Sequence, residues 1–208
     1  MFILNGRDIH MARKVQISKE IILHAALDML IRDGYSSINI KTLSKEIGCS
    51  TQPIVWHFKN MEGLRKALAE YALSYANNKM HPSAEHAMDA FNQVGKTFIQ
   101  IAVHESNLFR FLYLEGYNGS PMGNLDALIL DEDNSELIKG ISECLQISEE
   151  SAGRYLQNSI IYTHGIATLV STGLIIASEE EMMRLVNRAT DAFLVQEGIC
   201  GKENNGRK

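Results

Sequence analysis

The chain has 208 residues, 45% of them apolar and 22% charged, with a formal net charge of -5. That balance belongs to a soluble globular protein of one or two domains and excludes a disordered or fibrous chain. The charge is uneven: residues 1–70 hold ten Lys/Arg against seven Asp/Glu, and residues 71–208 hold ten against eighteen. A basic front on an acidic body suits a polyanionic partner at the front. Cys49, Cys144 and Cys200 lie far apart without CxxC pairing, so neither a disulfide framework nor a zinc site is indicated, and a reducing cytoplasm fits.

Residues 1–10 show no periodicity and are expected to be disordered; Met11 reads as the natural beginning, and MFILN is too short an apolar run for a signal peptide. Arg13 and Lys14 follow as a basic arm beside the first helix. From Ser18 to Arg32, polar residues recur at Glu20, His24, Asp28 and Arg32 while Ile21, Ala25 and Met29 line another side, which predicts a helix buried on most of its girth. Gly34 ends it, and Asn39 caps the next.

The stretch from Asn39 to Leu64 carries two short helical patterns around a Gly48-Cys49-Ser50 break. Leu43 and Ile47 give the first an apolar face, and Ile54, Val55 and Phe58 give the second. Gly48 suits a helix C-terminus in the left-handed conformation, Ser50 suits the next N-cap, and Pro53 sits in the first turn, where a missing N–H breaks no bond. This is a helix-turn-helix signature. Asn60 then caps a further helix with Glu62 in its first turn, and Leu64, Leu68, Tyr71 and Tyr75 carry it to Met80.

The His81-Pro82-Ser83 break marks a domain boundary. His81, Glu85, His86 and Asp89 lie close in sequence but share no ligand spacing, and no metal or cofactor is expected. Met88, Phe91, Gly95, Phe98 and Ala102 form the next stripe, ending near His104 and Glu105. A short aromatic helix from Asn107 closes at Gly116; residues 116–124 read as a surface loop. Leu125–Leu130 and Ser135–Leu145 are predicted as two short helices separated by a solvated acidic run. Ser148 opens a long helix to Thr172, and Ser178-x-x-Glu181 is a capping box for the last, which runs to Glu197. Gly153, Ser159, Thr163 and Gly165 are small enough for a facing helix to come close. Residues 160–177 approach membrane-spanning length, yet hold His164 with several Thr and Ser, and read as a buried interface helix. The tail from Gly201 is expected to be disordered.

The head resembles the TetR (tetracycline repressor) family of bacterial transcription regulators. Gly34, Gly48, His57-Phe58 and Leu64 stand at family spacing, and the likeness covers roughly residues 15 to 75. It implies an all-α fold: a three-helix DNA-binding head with the helix-turn-helix at residues 11–60, a connecting helix at 61–80, and a helical effector-binding and dimerisation domain at 84–198. By position on the family's recognition helix, Thr51, Gln52, Pro53, Trp56 and His57 are expected at or near base edges, with Lys41, Thr42, Ser50 and Lys59 completing the DNA face. Gln52 can pair with adenine and Pro53 can pack on a thymine methyl. Two positions depart from the pattern: Val55 stands where the family has a phosphate-contacting Tyr, and Met61 where it has a Lys. The indole N–H of Trp56 and the ammonium of Lys59 are the available substitutes.

The resemblance further implies a ligand cavity, for which Phe98, His104, Phe109, Tyr113 and Tyr162 are the expected lining, and a homodimer through the helices within 149–172 and 178–197. The expected function is that of a cytoplasmic repressor released from a palindromic operator by a small apolar or amphipathic ligand. Two rivals remain: a ligand-binding or interaction protein with a degenerate DNA head, and a helical enzyme using His57, His104 or His164 as a base. No Ser-His-Asp order, glycine-rich phosphate loop or HExxH supports the enzyme.

Overall fold

The computed structural model describes residues 17–83, 86–115 and 132–199, and among them every regular element is helical. The expectations for residues 1–10, Arg13 and Lys14, the 116–124 loop, the Leu125–Leu130 helix and the tail from Gly201 fall outside the described residues.

The head is built by local chemistry first. Helix α1 (Lys19–Asp33) begins where Ser18 Oγ accepts the Ile21 N–H, and it ends at Gly34, whose φ of 82° lies where a Cβ is unwelcome. A single 3₁₀ turn at Tyr35–Ser37 leads to α2 (Ile40–Ile47). Asn39 caps α2 by accepting the Lys41 and Thr42 N–H groups, while Thr42 Oγ1 accepts from the Asn39 N–H in return. Gly48, left-handed at φ 73°, turns the chain toward α3 (Gln52–Phe58). Ser50 is not the cap of α3: the helix begins after Thr51, and no side chain caps it. Pro53, at the second helical position, has already removed one of the N–H groups such a cap would serve. Asn60 Oδ1 then accepts the Gly63 N–H and starts α4 (Met61–Met80).

These elements converge on one packed centre. Ile22, Leu30, Leu43, Ile54, Leu64 and Leu68 are wholly buried, and the same cluster continues through Ala72 and Ala76 of α4. Of the expected α1 stripe, Met29 is buried and Ala25 half-buried, but Ile21 is exposed. The girth that packs is centred on Ile22, Ala26 and Leu30, so the apolar stripe lies one residue further round than the polar repeat suggested.

The body comprises α5 (Ala87–His104), α6 (Ser106–Tyr113), α7 (Glu132–Leu145), α8 (Glu149–Ser171) and α9 (Glu179–Gln196). Helix α6 stops at Tyr113, before Gly116. Helix α7 begins at Glu132, three residues before the predicted start at Ser135. Ser148 caps α8, and the Ser178–Glu181 box at the start of α9 closes in both directions at 2.8 and 3.2 Å. Helix α8 packs against α5, α6, α7 and α9. Ala152, Gly153, Ser159, Thr163 and Ala167 are buried along it, and their small side chains permit the crowding. Gly165 alone of the predicted small-residue set is exposed, with open space above it. No helix among the described residues is long and apolar enough to cross a membrane.

Candidate functional site

Helix α3 offers one face outward. Ile54 and Phe58, four residues apart, point into the head and fix its roll, which leaves Thr51, Gln52, Val55, Trp56 and Lys59 on the far side. Trp56 is 69% exposed and Val55 44% exposed. Pro53 is half-buried between the two sides. Lys41, Thr42, Lys45 and Ser50 of the same head are also exposed. The Thr42 hydroxyl is committed, accepting from Asn39 N and donating to the Ser37 carbonyl at 2.9 Å.

His57 does a different job from its neighbours. Its Nε2 lies 3.1 Å from the Ile17 carbonyl, an acceptor only, so the ring carries its proton on that nitrogen and donates. The Trp56 indole stands edge-on to this pinned ring at 4.6 Å. His57 therefore orients Trp56 and ties α3 to the chain entering α1. Lys59 closes α3 at φ 66°, and the Asn60 N–H bonds back to the Phe58 carbonyl at 2.8 Å. That three-residue turn is strained for a side chain, and it leaves Lys59 exposed at the end of the outward face of α3. Met61, where the resemblance anticipates a Lys, is half-buried against the head core and offers no polar atom to a partner.

The body gathers some of the expected ligand residues and scatters others. Phe98 from α5, Phe109 and Tyr113 from α6 and His164 from α8 form one ring cluster, with Phe98 centred 5.2 Å from both Phe109 and Tyr113 and 5.7 Å from His164. His104 lies elsewhere, on the surface 3.4 Å from Glu179. Tyr162 is on another side of α8, edge-on to Phe193 of α9. Helical spacing places these residues on faces but does not reveal which neighbour covers each face. His164 was legible only as an isolated imidazole in an apolar run. A separate cleft of about 560 Å³ opens between α5 and α9, lined by Met88, Asn92, Lys96, Tyr155, Asn187 and Asp191. The three histidines considered as bases stand apart: one pinned to a carbonyl, one on the surface, one among rings. Among the described residues, no three His, Cys, Asp or Glu side chains come together as metal ligands.

Burial holds the His164 imidazole below its ordinary pKa and pushes the Tyr113 phenol above its own. For His164 the unfolded chain is the better proton acceptor, so its contribution to stability is present above the ordinary histidine range and is lost as pH falls through it. Urea unfolding is expected to show lower stability at about pH 5.5 than at about pH 7.5, and His164→Phe, which keeps a ring without a titrating group, should flatten part of that loss. Identical pH curves for the two proteins would show that His164 is solvated as well in the folded state as in the unfolded.

Head and body meet at a seam the sequence did not announce. Tyr35 stacks on Phe111 of α6 at 5.1 Å, and the Arg65 guanidinium of α4 lies 4.5 Å from the Tyr35 ring centre and 5.2 Å from that of Phe111. Asn107 donates to the Ile31 and Arg32 carbonyls at the end of α1, and Arg110 donates to Asn107 Oδ1. Further along α4, Lys79 and Tyr75 both donate to Glu105 at the corner of α5 and α6. Helix α6 thus touches the head through Asn107 and Phe111, and the ring cluster through Phe109 and Tyr113.

Comparison with known proteins agrees with this geometry. Residues 22–68 match the family model of bacterial regulatory proteins, tetR family. Over 76 residues the chain is 28% identical to the class A tetracycline repressor protein of transposon 1721 from Escherichia coli and 26% identical to the class H protein of Photobacterium damsela subsp. piscicida. Each likeness takes in 36% of this chain and 35% of the repressor, so the match spans about a third of those relatives. In fold the reach is longer. TetR from Acinetobacter baumannii AYE superposes with a TM-score of 0.56 at 16% identity, covering 86% of this chain and 96% of that one. A variant of that TetR in complex with minocycline gives a TM-score of 0.55 at 17% identity, with the same coverage. A TetR-family regulator from Rhodococcus sp. gives 0.55 at 17% identity over 83% of this chain. Residues 22–68 thus match the head of the tetR family of bacterial regulatory proteins, and the chain shares the fold of solved TetR structures.

Proposed function

We propose that the protein is a dimeric, cytoplasmic DNA-binding regulator that represses transcription from a palindromic operator and is released by a small apolar or amphipathic ligand. The observation that carries the reading is the outward face of α3: two anchors hold the helix, and Thr51, Gln52, Val55, Trp56 and Lys59 are left exposed on its far side. An apolar and amide surface flanked by lysines fits a major groove better than it fits water. One recognition helix contacts too few base pairs to select a genomic site, so a two-fold pair is needed, with half-sites about 34–36 Å apart. Helices α8 and α9 each keep a second apolar stripe outside the chain's own core, the natural seat for a second copy.

The ligand is assigned to the aromatic cluster where Phe98, Phe109, Tyr113 and His164 meet from α5, α6 and α8; that a variant of a TetR of similar fold is solved in complex with minocycline supports a small-molecule ligand. Coupling runs through α6, which touches both the cluster and the head, and through α4, which packs on α5 and α6. If ligand and operator oppose each other, each must weaken the other by the same factor, typically about 1–3 kcal/mol. The test is a selection of bound fragments from a genomic library, followed by titration read on Trp56, the one tryptophan of the chain. A palindromic fragment that changes Trp56 emission at low concentration is expected. Binding no tighter to any fragment than to random DNA would end the operator reading.

A further inference from the structure

We propose that α3 selects A·T pairs at the centre of each half-site, recognising thymine by its C5-methyl group. The inference rests on the regulator reading and adds the chemistry of the bases read. Ser50 to Phe58 contain no Lys, Arg, Asp or Glu. Guanine presents two acceptors in the major groove, best met by the paired donors of an arginine or lysine, and the cytosine amino group is best met by a carboxylate. The helix carries neither kind of group. His57, its one titratable side chain, already donates to the Ile17 carbonyl.

What α3 does expose matches the other base pair. The Gln52 amide joins a donor to an acceptor, the complement of adenine N6 and N7, and Thr51 is exposed beside it. Val55 and Trp56 expose aliphatic and aromatic surface, and the thymine methyl is the one apolar group in the major groove that such surface can cover. Trp56 is also held in place by the edge-on contact with His57, so the surface is presented in a fixed orientation. The cations lie off the helix, on Lys41 and Lys45 of α2 and on Lys59 beyond its end, where they suit phosphates, which carry no base identity.

The experiment is a selection from a randomised duplex pool with the full-length protein, followed by titration of the best site with deoxyuridine in place of each symmetric pair of central thymines. Deoxyuridine pairs as thymine does and lacks only the methyl. Expected are A·T pairs under α3 and about a ten-fold loss of affinity for one symmetric pair, from two methyls left uncovered. Val55→Ala and Trp56→Ala, both at exposed positions, should bind thymine and deoxyuridine sites nearly alike. Selected sites with central G·C pairs, or equal binding of thymine and deoxyuridine duplexes by the unmodified protein, would overturn the inference while leaving the regulator reading intact. Failure to enrich any sequence would overturn both.

Discussion

Phe111→Ala is expected to lower the unfolding free energy by about 3–5 kcal/mol, the range for deleting a wholly buried phenyl ring. Phe111 is 1% exposed, and its ring is one half of the Tyr35 stack. Removal would leave a cavity between head and body, expose one face of Tyr35 and take one of two rings from beneath Arg65. The Arg65 guanidinium would keep Glu115, 3.9 Å away, but that pair is partly solvent-exposed and too weak to hold the seam alone. Arg65→Ala should cost less, about 1–2 kcal/mol, because it removes the cation–π contacts to Tyr35 and Phe111 and the packing of a side chain that is only partly buried. Urea denaturation followed by far-ultraviolet circular dichroism measures both. A loss under about 1 kcal/mol for Phe111→Ala would mean that the head and body are held together by α4 alone, and the coupling assigned to α6 would lose its physical basis.

The elements most legible in the sequence were those whose signal is local. Asn39, Asn60 and the Ser178–Glu181 pair cap the helices they were expected to cap, and Ser18 and Ser148 cap the helices expected to start at them, since a cap needs only the three or four residues after it. Gly34 and Gly48 adopt the positive φ that makes glycine the default there. Ser50 failed for an equally local reason, the proline two residues into the next helix. The outward face of α3 could be read by counting from the helix-turn-helix, although the His57–Ile17 bond, across forty positions of sequence, could not. Long-range partnerships set the rest. Tyr35, Arg65 and Asn107 look like surface residues in a linear reading and become the head–body seam only when α6 is laid across α1 and α4. Phe98, Phe109 and Tyr113 meet because three helices cross, whereas Tyr162, on the same long helix as His164, points to α9.

Leu169→Asp is expected to turn a dimer into a folded monomer. The inward stripe of α8 is complete without Leu169: Ser159, Thr163, Ile166 and Ala167 fill it, and Met182 and Val186 do the same for α9. Ile161 and Leu169 nevertheless stand 44% and 41% exposed on the other side of α8, on either side of Gly165, and Leu185 and Val195 repeat the pattern on α9. Leu174 and Ile176, on the turn between the helices, extend the apolar area. A surface of this kind, with a glycine that lets backbones come close, is stable in water when a second copy covers it. In an isologous dimer each substitution occurs twice, and an unpaired buried carboxylate costs several kcal/mol, so the two copies should raise the dimer dissociation constant by at least about a thousand-fold. Helicity should be unchanged, because the position is outside the monomer core, and affinity for the two-fold site should fall as the half-sites cease to be linked. Sedimentation of the wild-type protein and the variant, with DNA titration of each, decides the matter. A dimer of undiminished stability in the variant would place the interface on another face, and a monomeric wild type would remove the two-fold operator along with it.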